Sequence, residues 1–369
     1  MVFDGGNEHE QVVFCQDRRT GLRAIIAIYS TALGPSLGGT RFYPYPSEQA
    51  ALTDVLNLSQ AMAYKNAIAG LPHGGGKAVI IGDPDADKSP ELLRAYGRFI
   101  QSLGGRYITA SDVGTYVADM DIVSETCEYV TGRSEQAGGA GDSGVLTAFG
   151  VYRAMLAAAR FRWSASGLAG RRIGVIGIGK VGRRLIDLAA ADGARIVATD
   201  VDDEALEWAR RHHPEAALLD DDDAVMTADV DVLAPCALGG AITDANVDAI
   251  RAAVICGAAN NQLAHDGLDD RLLARDVLYC PDFVVNSGGV IQVADELHGF
   301  DFERAKAKTA QIYDTTIEVL ELAASKGVTP TEAATHLADE RMDACKTGNP
   351  LSACVDGERT VGLPGRVTQ

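Results

Sequence analysis

The chain has no C-x-x-C pair, although it contains seven cysteines. Cys15, Cys127, Cys236, Cys256, Cys280, Cys345 and Cys354 are odd in number and widely spaced, which argues against a disulfide framework or a structural zinc site. Cys256 and Cys280 sit inside apolar runs and read as buried thiols. No run of 18 uninterrupted apolar residues occurs, so nothing reads as a membrane span. Positive charge is scarce: 33 Lys and Arg face 51 Asp and Glu, a formal net charge of -18. Such a field repels phosphate backbones and anionic lipid, which makes nucleic acid and membrane surfaces poor partners. Residues 1–10 are polar and acidic, unlike a secretory signal, so the cytoplasm is the expected location. There is no internal repeat and no long low-complexity segment. Part of the acid is local, since Asp220, Asp221, Asp222 and Asp223 form a run that reads as a solvated loop.

What is present suits a globular chain. With 369 residues and 47% hydrophobic side chains, two domains with sizeable cores are expected. Residues 12–14 and 24–29 read as strands. Residues 47–69 are rich in Ala, Leu, Met and Gln and read as a helix ended by Gly70. A strand at 78–81 follows, then a helix opened by Ser89-Pro90 and running to about Leu103, then a strand at 107–110. The glycine-rich stretch 137–141 is the expected hinge. Beyond a helix at 145–161 the pattern becomes strand (173–176), helix (181–191), strand (195–199), with further short β-like runs at 231–234, 253–256 and 277–280. Strands alternating with helices predict a doubly wound parallel sheet. Residues 302–326 and 330–345 read as helical. The predicted architecture is α/β with two domains and a cleft between them. Residues 1–138 would form a substrate-binding and oligomerisation domain, joined by the C-terminal helix at about 325–346. Residues 139–324 would form a Rossmann-type domain, and 347–369 a loose tail.

Gly177-Ile178-Gly179-Lys180-Val181-Gly182 is a G-x-G-x-x-G between a predicted strand and a predicted helix, and Asp200 ends the next strand. That context defines a dinucleotide site, with the pyrophosphate on the helix N-terminus and the acidic residue on the adenosine ribose. A carboxylate at Asp200, with Asp202 and Asp203 beside it, would repel a 2′-phosphate, so NAD is expected over NADP.

Two lysines draw attention in the first half. Lys65 lies near the end of a predicted helix with Met62 one turn before it, a cation beside an apolar side chain on one face. That pairing suits an α-amino acid, although a lysine at a helix C-terminus also compensates the helix dipole. Gly74-Gly75-Gly76-Lys77 precedes a predicted strand. It is not a phosphate-binding P-loop, because residue 78 is Ala where Ser or Thr would hold magnesium. The three glycines suggest close backbone approach to a ligand. An ammonium crowded there beside a second cation is a candidate to polarise water and exchange protons near neutral pH. Asp112 follows a strand in a glycine-containing turn and is the candidate acid/base partner, with Asp119 and Asp121 as neighbouring alternatives.

Taken together, these residues resemble the glutamate/leucine/phenylalanine/valine dehydrogenases over nearly the whole chain except the tail. The resemblance is carried by Leu37-Gly38-Gly39-Thr40-Arg41, Met62 to Asn66, Gly74 to Lys77, Thr109 to Thr115, Gly177 to Gly182, Ala234-Pro235-Cys236-Ala237, Gly257 to Asn261 and Asn286-Ser287-Gly288-Gly289-Val290. His73 to Val79 and Gly257 to Gln262 are most similar to its valine-acting bacterial branch. The resemblance implies NAD-dependent, reversible oxidative deamination of a branched-chain aliphatic L-amino acid, valine first, to a 2-oxo acid, ammonium and NADH. It implies that Lys65 binds the substrate carboxylate, Lys77 activates the attacking water, and Asp112 shuttles protons to and from the amino group. Gly38 and Gly39 would form backbone wall beside the substrate, with Met62 nearby. Leu37, Ala110, Val290 and Val293 would line the alkyl pocket. Asn260 or Asn261 would hold substrate and nicotinamide. Ser143 and Thr147 would sit at the nicotinamide end, and Cys236, Ala237 and Ala258 beside the cofactor. Ser287 stands where many relatives have Ala, and His73 is given no role. No metal is expected, and the chain would be a homo-oligomer.

Three alternatives remain at this level. A leucine or phenylalanine dehydrogenase differs by pocket size, and one methylene changes binding by only about 1–3 kcal/mol. A 2-hydroxy-acid dehydrogenase would want a His–carboxylate base and an Arg, and the Lys–Lys–Asp set speaks against it. An NAD-responsive binding protein would share the fold without the chemistry.

Overall fold

In the computed structural model, residues 8–346 are described, so the tail expected at 347–369 lies outside the described residues. Two sheets organise the chain. The first is built from β1 (Gln11–Asp17), β2 (Leu22–Ser30), β3 (Ser36–Tyr43), β4 (Gly74–Ile81) and β5 (Tyr107–Ser111), in the order β1-β2-β4-β3-β5. The β1–β2 and β2–β4 pairs are antiparallel, whereas β3 runs parallel to both β4 and β5. Helix α1 (Glu48–Ile68) crosses from β3 to β4. Its Ser47 side chain accepts the Ala50 N–H, as a helix-opening serine should. Helix α2 (Pro90–Ser102), capped in the same way by Ser89, leads to β5, and α3 (Val117–Ser124) follows.

Helix α4 (Gly144–Trp163) leads into the second sheet. Its elements are β6 (Arg172–Ile176), α5 (Lys180–Ala191), β7 (Arg195–Thr199), α6 (Asp203–His212), β8 (Ala217–Leu218), α7 (Asp222–Met226), β9 (Val232–Pro235), β10 (Val254–Ile255), α8 (Leu268–Ala274) and β11 (Leu278–Tyr279). The strand order is β11-β10-β9-β6-β7-β8 and every pairing is parallel, the doubly wound arrangement expected. The chain ends in α9 (Asp282–Val285), α10 (Gly288–Glu296), α11 (Phe302–Ala310), α12 (Ile312–Lys326) and α13 (Pro330–Lys346). Helix α13 returns to pack on α1 as well as α12. Ala338 and Met342 bury against Ala63 and Ala67, and Arg341 donates to the Ala67 and Ile68 carbonyls at the end of α1. Among the described residues no helix is long and apolar enough to cross a membrane.

Three local expectations change. Gly74–Gly76 are part of β4 rather than a loop before it. The helix expected at 302–326 is broken at Gln311 into α11 and α12. The segment 137–141, expected to be the freest, is tied at its centre. The buried Ala140 donates its N–H to the Glu296 carboxylate at 2.9 Å and accepts from the Gln292 amide at 2.8 Å. Glu296, buried on α10, also accepts from Gly132 N and from Arg133 Nε, so one carboxylate clasps the chain on both sides of this link.

Candidate active site

The lysine end of the site depends on close packing of α1 over β4. A Cβ on Gly75 would lie 2.2 Å from the Ala63 nitrogen, so only glycine lets the helix backbone come this near. Gly74 and Gly76 are likewise taken up by protein, against the Ser30 carbonyl and the Tyr107 ring. This corrects the expectation that the three glycines make room for a ligand. Their effect is indirect: they lower α1 onto the strand, so that Lys65 on the helix and Lys77, midway along the strand, come close enough for their charges to act on each other. Buried Asn66 fixes the register, donating to the Leu37 carbonyl at 3.1 Å and the Gly74 carbonyl at 2.7 Å.

Lys77 is buried, and its Nζ lies 2.5 Å from Asp112 Oδ2. Burial alone would raise the Asp112 carboxyl, but the charges of Lys77 and then Arg41 outweigh it and hold the group at about 2. Of the carboxylates left open by the sequence, Asp112 is the one that reaches the lysine. Asp119 pairs with Lys88 at 2.8 Å, and Asp121 accepts the Ser134 N–H. Arg41, within a stretch quoted above but given no role, has its Nε 3.7 Å from the same Asp112 oxygen and is anchored to Asp54 at 2.9 Å. Tyr45 donates to Asp54 from the other side. The signal for Arg41 was a strand-borne arginine two residues beyond Gly39, where a Cβ would fall 2.9 Å from Asp112 Cβ.

Lys65 Nζ donates to Asn260 Oδ1 at 3.0 Å, and the Asn286 amide donates to the same oxygen at 2.8 Å. Of the two asparagines left open, Asn260 is therefore the one joined to Lys65, while Asn261 occupies a left-handed turn (φ 50°). Burial in the cleft pushes Lys65 down to about 8, opposed by Asp282 and reinforced by Lys77. Asn286 Oδ1 is buried and accepts no bond among the described residues. His73 is buried beside the Pro35 carbonyl, and burial lowers it to about 4, so it is neutral near pH 7 and unsuited to exchange protons there.

Around this charge cluster lie small and aliphatic groups. Ala110 and Val293 approach each other across Gly132, whose absent side chain would meet both at 3.7–3.8 Å. Gly132 was not singled out by sequence; its signal appears only once α10 is folded against the 131–133 segment. Met62 packs over Gly38, and the half-buried Val290 lies on α10. Leu37 is fully buried, in the core that joins the two sheets. Ser143 and Thr147 at the start of α4 face Gly289 of α10. Ser287 turns inward onto the Val284 carbonyl.

The second sheet supplies the dinucleotide loop. Gly177 has φ 98°, and a Cβ there would fall 2.8 Å from the nitrogen of Ala237. A Cβ on Gly182 would fall 2.0 Å from the Gly177 carbonyl, whereas Gly179 faces open space. Lys180 and Val181 start α5, and the buried Ile178 donates its N–H to Asp200 Oδ2 at 2.5 Å. The other Asp200 oxygen accepts from Asp202 N, which aims the carboxylate at the loop mouth. Cys236 N donates to the Ile176 carbonyl, and the Ala258 carbonyl accepts from Asn286, which brings both segments to the same edge. A backbone cradle with an open central glycine and an adjoining carboxylate fits a dinucleotide.

Comparison with known proteins agrees with this arrangement. The profile described as "Glu/Leu/Phe/Val dehydrogenase, dimerisation domain" matches residues 9–129, and that of "Glutamate/Leucine/Phenylalanine/Valine dehydrogenase" matches residues 200–347. The chain is 58% identical over 335 residues to a valine dehydrogenase of Streptomyces virginiae, covering 90% of this chain and 94% of the relative. It is 47% identical over 339 residues to a leucine dehydrogenase of Bacillus cereus, covering 92% of each. Among solved structures, L-tryptophan dehydrogenase from Nostoc punctiforme superposes with a TM-score of 0.83 at 38% identity, covering 94% of this chain and all of that one. The chain belongs to the Glu/Leu/Phe/Val dehydrogenase family. It is an NAD(P)-dependent amino-acid dehydrogenase that carries the family's dimerisation domain.

Proposed function

We propose that the protein oxidatively deaminates L-valine with NAD, in the cytoplasm and as a homo-oligomer. Residues 1–138 with α13 (Pro330–Lys346), the element that answers the C-terminal helix expected at about 325–346, would form the catalytic domain and 139–324 the cofactor domain. The observation that carries this reading is the Lys77–Asp112 pair at 2.5 Å with Lys65 on the adjoining helix. Lys65 receives the substrate carboxylate, assisted by the Asn260 amide. Gly38, Gly39 and Met62 bound the substrate. Ala110, Val290 and Val293, with Leu37 behind them, receive the alkyl group, and Gly132 leaves room for a short branched chain. A dinucleotide held there would supply the acceptor for the hydride that leaves the substrate Cα. Lys77, paired with Asp112, then orients and polarises water toward the oxidised carbon, and the Asp112 carboxylate takes up the proton that the water releases and passes it to the departing amine. Asn286 Oδ1, buried and accepting no bond among the described residues, is available to accept an N–H bond from the amino group or the carboxamide. Residues 177–182, Asp200, Ser143, Thr147, Cys236, Ala237, Ala258 and Asn260 hold the dinucleotide.

Valine is favoured by the 58% identity to a valine dehydrogenase against 47% to leucine dehydrogenases, and by the small Ala110–Gly132–Val293 wall. NAD is favoured by Asp200 and by a second acidic group that the fold brings beside it. Strands β7 and β8 pair in parallel and Thr199 Oγ1 donates to the Leu219 carbonyl, so the run Asp220–Asp223 starts alongside Asp200. Burial and the charges of Asp221, Asp223 and Asp200 push Asp222 upward, the sign of a crowded negative edge. A 2′-phosphate would enter that field at a cost.

The test is reduced-cofactor formation at alkaline pH with NAD or NADP against a panel of L-amino acids and 2-hydroxy acids. Turnover with valine, leucine and isoleucine, ranked by kcat/KM with valine first and NAD preferred, is the expected result. Silence on all amino acids, with NAD still bound, would replace this reading with the non-enzymatic one.

A further inference from the structure

Asp282, the first residue of α9, has no part in the scheme above. Its Oδ2 accepts the Gln262 N–H at 3.1 Å, and the N–H groups of Asn261 and Phe283 bond to the same carboxylate. The turn it grips carries Asn260. That turn is held in place from other directions too. The buried Gln262 amide donates to the Gly257 carbonyl at 2.8 Å and the Ala259 carbonyl at 3.1 Å, and Gly240 N donates to the Asn261 carbonyl at 2.6 Å. Asn261 sits at φ 50°, a conformation that the surroundings must impose on a residue with a side chain. On its other side α9 packs against α1, and the Asp282 and Lys65 charges act on each other.

We infer that Asp282 is a positioning residue: it fixes the 260–262 turn so that Asn260 meets Lys65, and it supplies the negative charge that balances the Lys65 ammonium. This rests on the reading of Lys65 as the carboxylate-binding lysine. The charged groups facing Lys65 are Asp282 from α9, Lys77 from β4 and Asp112 beyond β5. Lys77 and Asp112 neutralise each other at 2.5 Å, which leaves Asp282 as the opposite charge not already engaged with a cation at that distance. Burial drives Asp282 up and Lys65 down, as it must for two charges in a narrow cleft, and each opposes the other's shift. Because burial lowers Lys65 to about 8, the charge beside it governs whether a substrate carboxylate finds an ammonium at alkaline pH.

The probe is 3-methylbutanoate, a branched carboxylate without an amino group, used as an inhibitor competing with L-valine. Its own carboxylate is fully ionised above about pH 7, so the pH dependence of its Ki above that pH reports protein groups alone. In the intact protein its binding is expected to weaken above about pH 8. Asp282→Asn, nearly isosteric, should move that limb downward by about one pH unit and weaken binding on the order of tenfold at pH 9. The thermal midpoint should stay close to that of the parent, and because Asn260 also borders the dinucleotide the KM for NAD should rise, but by less than the Ki of the probe. Asp282→Glu, which retains the charge but displaces the N–H bonds, should keep the limb near its parental position. An unchanged Ki profile in Asp282→Asn overturns the proposal, as does a loss shared equally by NAD and carboxylate, or a displaced limb in Asp282→Glu. Lys65→Ala separates the two levels. If it binds the probe normally, the reading of Lys65 fails and the proposal with it; if it loses the probe while Asp282→Asn does not, only the proposal fails.

Discussion

The two glycine-rich segments of this chain do opposite things. On β4 the glycines are filled by protein: Gly75 by the backbone of Ala63, its neighbours by a carbonyl and a ring. In the 177–182 loop the outer glycines are closed by Ala237 and by the loop itself, and the middle one faces open space. The first segment uses its small residues to draw a helix and a strand together, which brings the Lys65 and Lys77 charges within reach of each other. The second leaves backbone N–H groups open at the start of a helix. A run of glycines therefore marks close approach, and only the fold decides whether the approaching body is the chain itself or a ligand.

The contrast is sharpest at Lys77, where packing is converted into chemistry. Lys77→Ala should lower kcat by on the order of 10²- to 10⁴-fold while leaving dinucleotide binding intact, as read by steady-state rates and by cofactor fluorescence. A variant that kept most of its rate would remove Lys77 from the proposed scheme. Next in size is a pair of identical changes with different outcomes. Gly75→Ala forces a Cβ into the α1 backbone and should destabilise the fold by about 1–3 kcal/mol or more, seen as a lowered thermal midpoint. Gly179→Ala should leave that midpoint nearly unchanged and raise the KM for the dinucleotide. If both variants lost stability alike, the distinction drawn between the segments would be wrong. Smallest is Asp200→Asn, which should shift the ratio of kcat/KM for NAD over NADP toward NADP by roughly tenfold, since one charge facing a phosphate near a surface is worth about 1–2 kcal/mol. An unaltered ratio would shift the discrimination to the Asp220–Asp223 run.

Much of this was readable from the residues because it is local. The G-x-G-x-x-G lies between a strand and a helix, and Asp200 follows at the end of the next strand, so the motif and its context sit within one short stretch. Ser47 and Ser89 announce their helices by capping. Strand β3 was harder to see, because Gly38 and Gly39 weaken the β pattern that its neighbours would otherwise show. Helix α10 opens on Gly288-Gly289 for a related reason: a Cβ on Gly288 would lie 2.0 Å from the Leu146 carbonyl of α4. Arg41, Gly132, Asp282 and Glu296 stayed silent for another reason. Each acts on residues distant in sequence, as Glu296 does on Gly132 and Ala140, and no periodicity announces which carboxylate will be buried against which backbone.

The return of α13 to α1 has a consequence for biosynthesis. The face of α1 bearing Ala63 and Ala67 is covered by Ala338 and Met342, and the carbonyls ending α1 are met by Arg341. During translation the helix that carries Lys65 is made early, yet the flank of it that α13 covers acquires that cover only after the whole second sheet has been synthesised. The first sheet must therefore wait, with an apolar helix face open to water, for the last described helix of the chain. The nascent protein is most exposed to mispairing in that interval, and a truncation before α13 would leave it there permanently.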